Sequence, residues 1–447
     1  MTGLADRLAA EPIAEWLTRQ RWFASKTRDV AEVTVPEILE LSDAPPLALG
    51  LVEAHFPAGT HELYQLLVGI ERGRIALDAV ASRPHAVALT RLMAGEAVVE
   101  GAQGTVAFHC AAGGPPLPSD PSVRPMGAEQ SNSSVVLGDA VVLKVFRRLE
   151  PGENPELEML RFLTAKGYEN IAPLVGWYEL RSEQLDATLG IAQSYVADGR
   201  DGWELALDEL GSAPDRFLER LHELGRVTGR MHALLGSDPT DPDFAPEDPG
   251  TESLSLVTAT IDEAIERLFI DLPDDDERVA PIAGRGEDIR DRLQVMSHVG
   301  AGGRLIRHHG DLHLGQTLRT GDRWVIIDFE GEPARHITER RRKRSPLRDV
   351  AGMLRSFAYA ASASEILRGN PVPEGWEQQA RDTYLAGYLE TVEPSLLPQG
   401  QRAIESLLGI YELEKAVYEL RYELDNRPDW VGIPVAGIRR LLEEPIE

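Results

Sequence analysis

The segment Arg307–Glu332 reads R-H-H-G-D-L-H-L-G-Q-T-L-R-T-G-D-R-W-V-I-I-D-F-E-G-E. It holds an ordered set of groups that could move a phosphoryl group. Asp311 closes His309-Gly310-Asp311, and an amide, Gln316, follows five residues later. A short apolar strand, Trp324–Ile327, then delivers a second acid, Asp328, inside D-F-E-G. Phosphoryl transfer needs one carboxylate to take the proton of the attacking hydroxyl. It also needs hard oxygen ligands to hold Mg²⁺ on the nucleotide phosphates. Asp311 suits the first task, and Gln316 and Asp328, with help from Glu330, suit the second.

The order matches the catalytic-loop and metal-loop signature of protein kinases, H-R-D-x-x-x-x-N and then D-F-G. Here Gly310 stands for Arg, Gln316 for Asn and Glu330 for Gly. H-G-D in place of H-R-D points to kinases of small molecules rather than of proteins. H-G-D alone is a weak signal, but with the amide, the strand and the second acid it is strong.

Such a site needs a cation on the phosphates, and that cation needs a scaffold. Ser133–Leu137 and Ala140–Phe146 read as a hairpin around Gly138-Asp139. Lys144 lies in its second strand. Asn154-Pro155 then starts a helix, Pro155–Lys166, with an N-cap residue and proline in the first turn. That helix carries Glu156 and Glu158. Strand, lysine, helix and glutamate is the order of an ion pair that positions a phosphate-binding lysine, and Glu158 is the preferred partner by its place in the helix. No G-x-G-x-x-G loop precedes the hairpin. Glu129–Ser134 stands there instead, and Ser133 and Ser134 with their backbone N–H groups are the candidates to cradle phosphates. The apolar strand Ile191–Val196 runs into Ala-Asp-Gly-Arg-Asp-Gly, a composition suited to a hinge. Backbone groups of Ser194 and Val196 are placed there to meet an adenine.

Composition bounds the rest. The 447 residues suffice for two or three subdomains. The net charge of −27 argues against a general nucleic-acid binder, because phosphate backbones are held by Lys and Arg. It does not exclude ATP, which needs a local basic site and a metal. The single cysteine, Cys110, forms no internal disulfide, so a cytoplasmic location is expected. No apolar core of a signal peptide and no membrane-spanning stretch of about 18 residues is evident.

The chain divides into residues 1–86, 87–198 and 199–447. The first part alternates apolar and polar residues over Val33–Leu41, Ala48–Phe56 and His61–Ile70, as an antiparallel sheet does. Trp22 and Phe23 are expected to pack on that sheet. The second part holds the hairpin and helix. The third is mostly helical from Trp203 onward, with apolar residues recurring at three- and four-residue spacing. His232 reads there as a structural residue and Asp349 as an anchor for the catalytic loop. The run Glu339–Arg344 reads as a solvated charged face, with an anion-steering rim as the alternative.

At this point the residues resemble a known family. H-G-D-L-H-L-G-Q (309–316), I-D-F-E-G-E-P (327–333), S-P-L-R-D-V-A-G-M-L-R-S-F (345–357), A-E-Q-S-N-S-S (128–134) and L-K-V-F-R-R (143–148) look like actinobacterial maltokinases. So do R-Q-R-W-F-A-S-K (19–26), Y-E-L-E-K-A-V-Y-E (411–419) and R-P-D-W-V-G-I-P (427–434). The resemblance spans essentially the whole chain, with Ser25 where glycine is expected. It implies an α+β protein: a bilobal eukaryotic-like kinase fold, related to aminoglycoside phosphotransferases, with an N-terminal cap subdomain and a helical C-lobe. It implies Mg²⁺-dependent transfer from ATP to maltose, giving maltose 1-phosphate for α-glucan and glycogen synthesis from trehalose; the hard oxygen ligand set of the D-F loop also admits Mn²⁺. Trehalose synthase is the implied partner, with no nucleic acid and no membrane. Glucosamine-phosphorylating relatives are expected to differ at Glu330 and Glu332.

The acceptor is expected to enter from the helical region. His309 is a candidate contact. Lys415, Tyr418, Glu419 and Tyr422 share one helix at helical spacing and offer the aromatic faces and charged groups that sugar recognition uses. Two other readings stay open: a kinase of another sugar, aminosugar or aminoglycoside, and a non-catalytic kinase-fold protein that binds a partner.

Overall fold

The computed structural model describes residues 4–8, 11–102, 104–127, 131–250, 253–273, 276–297, 302–332 and 335–443. Two compact units emerge. The first comprises Met1–Asp198 with Ala334–Glu339, and the second Gly199–Pro333 with Arg340–Glu447.

The first unit begins with two short helices, α1 (Leu4–Leu8) and α2 (Ile13–Thr18). A cap sheet follows, with β1 (Glu32–Asp43), β2 (Pro46–His55), β3 (His61–Glu71) and β4 (Arg74–Ala76) joined antiparallel. Side chains alternate across a strand with period two. Ala48, Val52, Tyr64, Leu66 and Val68 therefore share one face with Leu8, Leu17, Trp22 and Phe23. Leu47, Leu49, Leu51 and Leu67 point into a second core on the other face. The sheet is thus buried on both faces, where apolar–polar alternation predicts one. Ser25, at the position where glycine was expected, is buried and its hydroxyl donates to Glu62 at 3.0 Å.

Helix α3 (Arg83–Ala94) leads to a seven-stranded antiparallel sheet. Its strands are β5 (Val98–Glu100), β6 (Gly104–Cys110), β7 (Val123–Pro125), β8 (Asn132–Leu137), β9 (Val141–Phe146), β11 (Leu174–Ser182) and β12 (Ala187–Ser194), in the order β5-β6-β11-β12-β9-β8-β7. Gly138 and Asp139, at the β8–β9 turn, both have positive φ (59° and 50°), the requirement of a tight two-residue hairpin loop. Between β9 and helix α4 (Pro155–Ala165), strand β10 (Arg148–Leu149) pairs with β3 and joins the two sheets. Two buried side chains strengthen that join. The amide of Gln65 donates to the Phe146 carbonyl at 2.5 Å and accepts from the Tyr178 hydroxyl at 3.2 Å. Arg147 donates to Asp78 at 2.6 Å and to Ser133 at 2.8 Å.

The second unit has a small antiparallel sheet of β13 (Arg200–Asp201), β14 (Thr317–Thr320) and β15 (Arg323–Ile326). Its helices are α5 (Gly202–Leu210), α6 (Pro214–Leu235), α7 (Ser253–Asp271), α8 (Gly286–Ser297), the short α9 (Ile337–Arg340, of which Arg340 belongs here), α10 (Leu347–Arg368), α11 (Trp376–Thr391), α12 (Gln401–Asn426) and α13 (Gly432–Glu443). Helices α6 and α11 approach closely because Gly225 lacks a side chain. A Cβ there would lie 2.1 Å from the Tyr384 carbonyl oxygen. That approach sets Tyr388 against His232, their rings 5.7 Å apart edge to face. Among the described residues no helix is long and apolar enough to cross a membrane.

Candidate active site

The catalytic-loop sequence is held by backbone bonds to one buried carboxylate. Asp349, in the first turn of α10, accepts from the N–H of His309 at 2.7 Å and of Gly310 at 2.9 Å. Its third partner is His232 Nε2 at 3.1 Å, and His232 meets the Tyr388 hydroxyl through Nδ1 at 3.1 Å. Burial opposes the charge on Asp349. The neighbouring His308 and the bond from His232 outweigh it and hold the carboxyl well below the usual carboxylate range. His308 is pushed down to about 3, first by burial, and is neutral. Gly310 adopts φ of +88°, which side chains other than glycine's rarely allow. That is the local reason for glycine where protein kinases carry arginine.

His309 does not face a ligand. Its Nε2 lies 2.9 Å from the Ile327 carbonyl oxygen and its Nδ1 accepts from the Asp311 N–H at 3.3 Å. The ring packs on Phe329 with centroids 4.8 Å apart. Both nitrogens are spent on fixing the loop to the strand end that carries Asp328, which corrects the acceptor-contact expectation.

The oxygen ligands come together at that strand end. Gln316 closes a 3₁₀ turn, Leu314–Gln316, and pairs with β15 through the Ile327 N–H at 3.0 Å. Its side-chain amide donates to Asp328 Oδ2 at 3.1 Å. Asp328 has φ of +64°, an uncommon conformation that Asp tolerates better than bulkier residues and that often marks a functional site. Glu330 follows two residues on. Amide and carboxylate oxygens suit a small hard cation such as Mg²⁺, so these residues fit the metal that the motif implies.

Asp311 has an unforeseen neighbour arrangement. Lys415 Nζ, from α12, bonds to Asp311 Oδ1 at 3.1 Å and to Glu332 Oε1 at 3.3 Å. Burial works against the ammonium, but Asp311 and Glu332 keep it protonated well above the ordinary lysine range. The contact leaves Asp311 Oδ2 outside the Lys415 bond. His313 Nε2 is 3.9 Å from that oxygen, and desolvation shifts the His313 ring below its usual value. Neither Glu332 nor His313 was assigned a role from sequence. Nothing in local spacing announces either, because their partners are distant or depend on a turn.

Tyr418 and Tyr422 stand on α12 beyond Lys415, 57% and 43% exposed. Burial and the nearby Glu332 raise the Tyr418 hydroxyl, so it stays a donor. Glu419 departs from its expected role. Its Oε2 receives two bonds from buried Arg355, at 2.7 and 3.0 Å, and so serves a helix-to-helix tie between α10 and α12. The basic run is likewise tied. Lys343 pairs with Glu247 at 2.7 Å, and Arg340 Nη1 donates to the Glu330 carbonyl at 3.2 Å.

In the first unit, Lys144 and Ser134 are cross-strand partners on β9 and β8 and share a face. Lys144 Nζ lies 2.8 Å from Glu156 Oε2, with both side chains buried. Glu156 therefore makes the contact assigned to Glu158 from sequence. Two residues along a helix are rotated by about 200°, so the two positions lie on different sides of α4. Asn154 fixes the phase, its side chain capping the Glu156 N–H at 2.8 Å. Ser133 is also corrected. It lies on the face opposite Ser134, and its hydroxyl accepts from Arg147 as part of the sheet-to-cap tie. Glu129 and Gln130, of the proposed phosphate-cradling turn, lie outside the described residues. At the hinge, Ser194 N–H donates to the Pro173 carbonyl at 2.9 Å and Tyr195 N–H to that of Ala140 at 2.8 Å. Ser194 is thereby removed as a base-binding donor. Val196 follows, half-buried, after the sheet pairings end.

Comparison with known proteins adds ancestry to this geometry. A family model described as "Phosphotransferase enzyme family" matches residues 122–369, more than half of the chain. One described as "Maltokinase N-terminal cap domain" matches residues 16–99. A glucosamine kinase of Mycolicibacterium smegmatis is 27% identical over 336 residues, covering 72% of this chain and 80% of that one. A glucosamine kinase of Streptacidiphilus jiangxiensis is 26% identical over 333 residues, covering 71% and 73%. The solved structure of a glucosamine kinase in complex with glucosamine, ADP and inorganic phosphate has a TM-score of 0.74 at 21% identity, covering 98% of each chain. It shares the fold, cap included.

Proposed function

The chain belongs to the phosphotransferase enzyme family, and from that premise we propose that it is an ATP-dependent sugar kinase whose acceptor is maltose. The contact between Lys415 and Asp311 carries the acceptor assignment. Asp311 and Glu332 share one ammonium, so the neighbourhood of the attacking hydroxyl already holds a cation. A neutral hydroxyl can accept a hydrogen bond from a remaining Lys415 N–H, which the protonated amine of an aminosugar, a donor only, cannot do. The exposed rings of Tyr418 and Tyr422 offer a further ring of the acceptor an apolar face. The match to a maltokinase cap supports the same reading.

Each chain residue then has a task. Asp311 Oδ2 accepts the proton of the anomeric hydroxyl as its oxygen attacks the terminal phosphorus of ATP, the bond from that phosphorus to the β–γ bridging oxygen breaks and ADP leaves, while Lys415 holds Oδ1 and fixes the carboxylate plane. Lys144, held by Glu156, offers its ammonium to the nucleotide phosphates. Val196 is the backbone candidate for the base. Gln316 and Asp328, with Glu330, would hold Mg²⁺ or Mn²⁺, which when bound offsets the phosphate charge. Asp349, through the His309 and Gly310 N–H groups, keeps Asp311 in place. The product, a sugar 1-phosphate, is an activated donor suited to α-glucan and glycogen synthesis. A trehalose synthase as partner and a cytoplasmic location belong to the same proposal.

A specific observation favours a second reading, glucosamine as acceptor: the two relatives above carry that name. Product analysis by ³¹P NMR at equal concentrations of maltose, glucose, trehalose and glucosamine decides between them. Maltose should give an anomeric phosphate, and trehalose, which lacks a free anomeric hydroxyl, should give none. A higher kcat/KM for glucosamine than for maltose would reject the maltose assignment and leave the kinase standing.

A further inference from the structure

Helix α12 runs from the acceptor site into a second, unassigned cleft of ≈ 590 Å³. That volume lies in the range of small-molecule sites, roughly 300–1,000 Å³. Asp425 and Arg421 line it from α12, and Asp271 from the end of α7. On α12, residues 415, 418, 422 and 425 recur at helical spacing and lie along one side, so Lys415, Tyr418, Tyr422 and Asp425 form a row. At 1.5 Å rise per residue the row extends about 15 Å from Lys415.

The chemistry of the cleft is unusual for a surface. Among the described residues, Asp271, Arg421 and Asp425 make no side-chain hydrogen bond or ion pair, although all three border one space. The rim is fixed by contrast. Arg278 is bound to Asp276 at 2.6 Å and to the Pro428 carbonyl at 2.7 Å. Two carboxylates and one guanidinium leave a net charge of −1, which does not suit a phosphate, and the guanidinium beside the carboxylates does not suit a metal ion. Leu268, Pro273 and Leu424 supply apolar wall between these polar groups, the mixture that the faces and hydroxyls of a sugar ring use together. An uncharged, hydroxyl-rich chain uses all of these groups, and the tyrosines before the cleft supply the stacking faces.

We propose that this cleft is a glucan-binding extension, in which further α-linked glucose units of a malto-oligosaccharide lie beyond the unit presented to Asp311. The inference rests on the neutral-sugar reading above and extends it.

The test measures KM and kcat for maltose, maltotriose and maltopentaose with the intact enzyme and with the Arg421→Ala/Asp425→Ala double variant. Both positions are exposed, so the fold should tolerate the change. KM should fall about tenfold or more from maltose to maltopentaose, and the double variant should lose that gain while its maltose constants stay unchanged. A KM independent of chain length would overturn the proposal, as would a variant that affects both sugars equally. Calorimetric titration of maltoheptaose without nucleotide separates this from the acceptor assignment. If maltose proves not to be phosphorylated, binding that weakens about tenfold in the double variant still supports the cleft, and absence of binding rejects it.

Discussion

The ammonium of Lys415 bonds to the carboxylate of Asp311 at 3.1 Å across a sequence separation of 104 residues. The loop that carries Asp311 is therefore gripped twice, by Asp349 through its backbone and by Lys415 through its side chain. Both grips come from helices of the second unit, and each acts on a different degree of freedom. Asp349 fixes where the loop runs, and Lys415 fixes how the carboxylate is turned. Loops position chemistry well only when a rigid scaffold holds them.

Replacing Asp311 by Asn should abolish transfer while leaving nucleotide binding near its native value. The amide keeps the shape but accepts no proton, and general-base assistance is typically worth ~10²–10⁴-fold. Steady-state kinetics alongside calorimetric titration of Mg·ATP measures both quantities. Turnover close to wild type would refute the role of Asp311.

Lys415→Met retains most of the side-chain volume and removes the charge. Asp311 and Glu332 then face each other without a cation between them. The expected outcome is a loss of roughly 10–100-fold in kcat/KM for maltose, the size of a charged hydrogen bond of about 1.5–3 kcal/mol. Glucosamine should suffer less, because its own ammonium can take the vacated place. An equal loss for both sugars would show that Lys415 plays no part in selecting charge.

Asp328→Ala should remove the dependence of ATP binding on divalent metal. Titrating Mg·ATP, and ATP with chelator, into this variant should give matching isotherms. A binding curve that still strengthens with Mg²⁺ would place the metal elsewhere.

Much of this arrangement was legible in the chain because the motifs are local. H-G-D, the amide and D-F are close in sequence, and a turn and a short strand suffice to bring Gln316 to Asp328. The hairpin turn at Gly138-Asp139 and the cap of α4 were legible for the same reason. Errors arose where a partner depends on helical phase or on tertiary pairing. Glu156 and Glu158 differ only by rotation about α4. Ser133 and Ser134 differ only by strand face, and it is buried Arg147 that claims Ser133. His309 reads as a ligand-facing residue until the Ile327 carbonyl is seen to occupy it. Glu332 acquires a role through Lys415, which no spacing rule connects to it.

Stability should fall on acidification before the carboxylates titrate. The folded pKa of His308 is depressed from 6.5 to about 3, so between these values the unfolded chain binds a proton that the folded one does not. Its contribution is fully present above pH 6.5 and is lost as pH falls toward 3, by up to roughly 1.4 kcal/mol per pH unit. Asp349 adds to the loss below its free value of 3.8, since its folded pKa is also lowered. Unfolding midpoints measured from pH 7.5 down to 4.5 should decline with this slope and flatten in His308→Asn. An unchanged slope in that variant would assign the acid sensitivity to other groups.

The partner of Lys144 can be identified by comparing two conservative changes on the same helix. Both Glu156 and Glu158 are buried, so burial alone does not separate them. Glu156 has a carboxylate oxygen placed 2.8 Å from Lys144 Nζ. In Glu156→Gln an amide replaces the carboxylate, and the buried ammonium loses the charged bond that orients it toward phosphate. The lost interaction is about 1–3 kcal/mol, so kcat/KM for ATP should drop roughly 10–100-fold. Lys144→Ala should lose a similar amount, and adding Glu156→Gln to it should cost little more, because the pair acts as one unit. Glu158→Gln should leave the nucleotide constants much closer to wild type. Thermal unfolding of all four proteins distinguishes a local effect from misfolding. A greater loss of nucleotide kinetics in Glu158→Gln than in Glu156→Gln, at comparable melting temperature, would restore the assignment by helix position and displace the one drawn from the Lys144 contact.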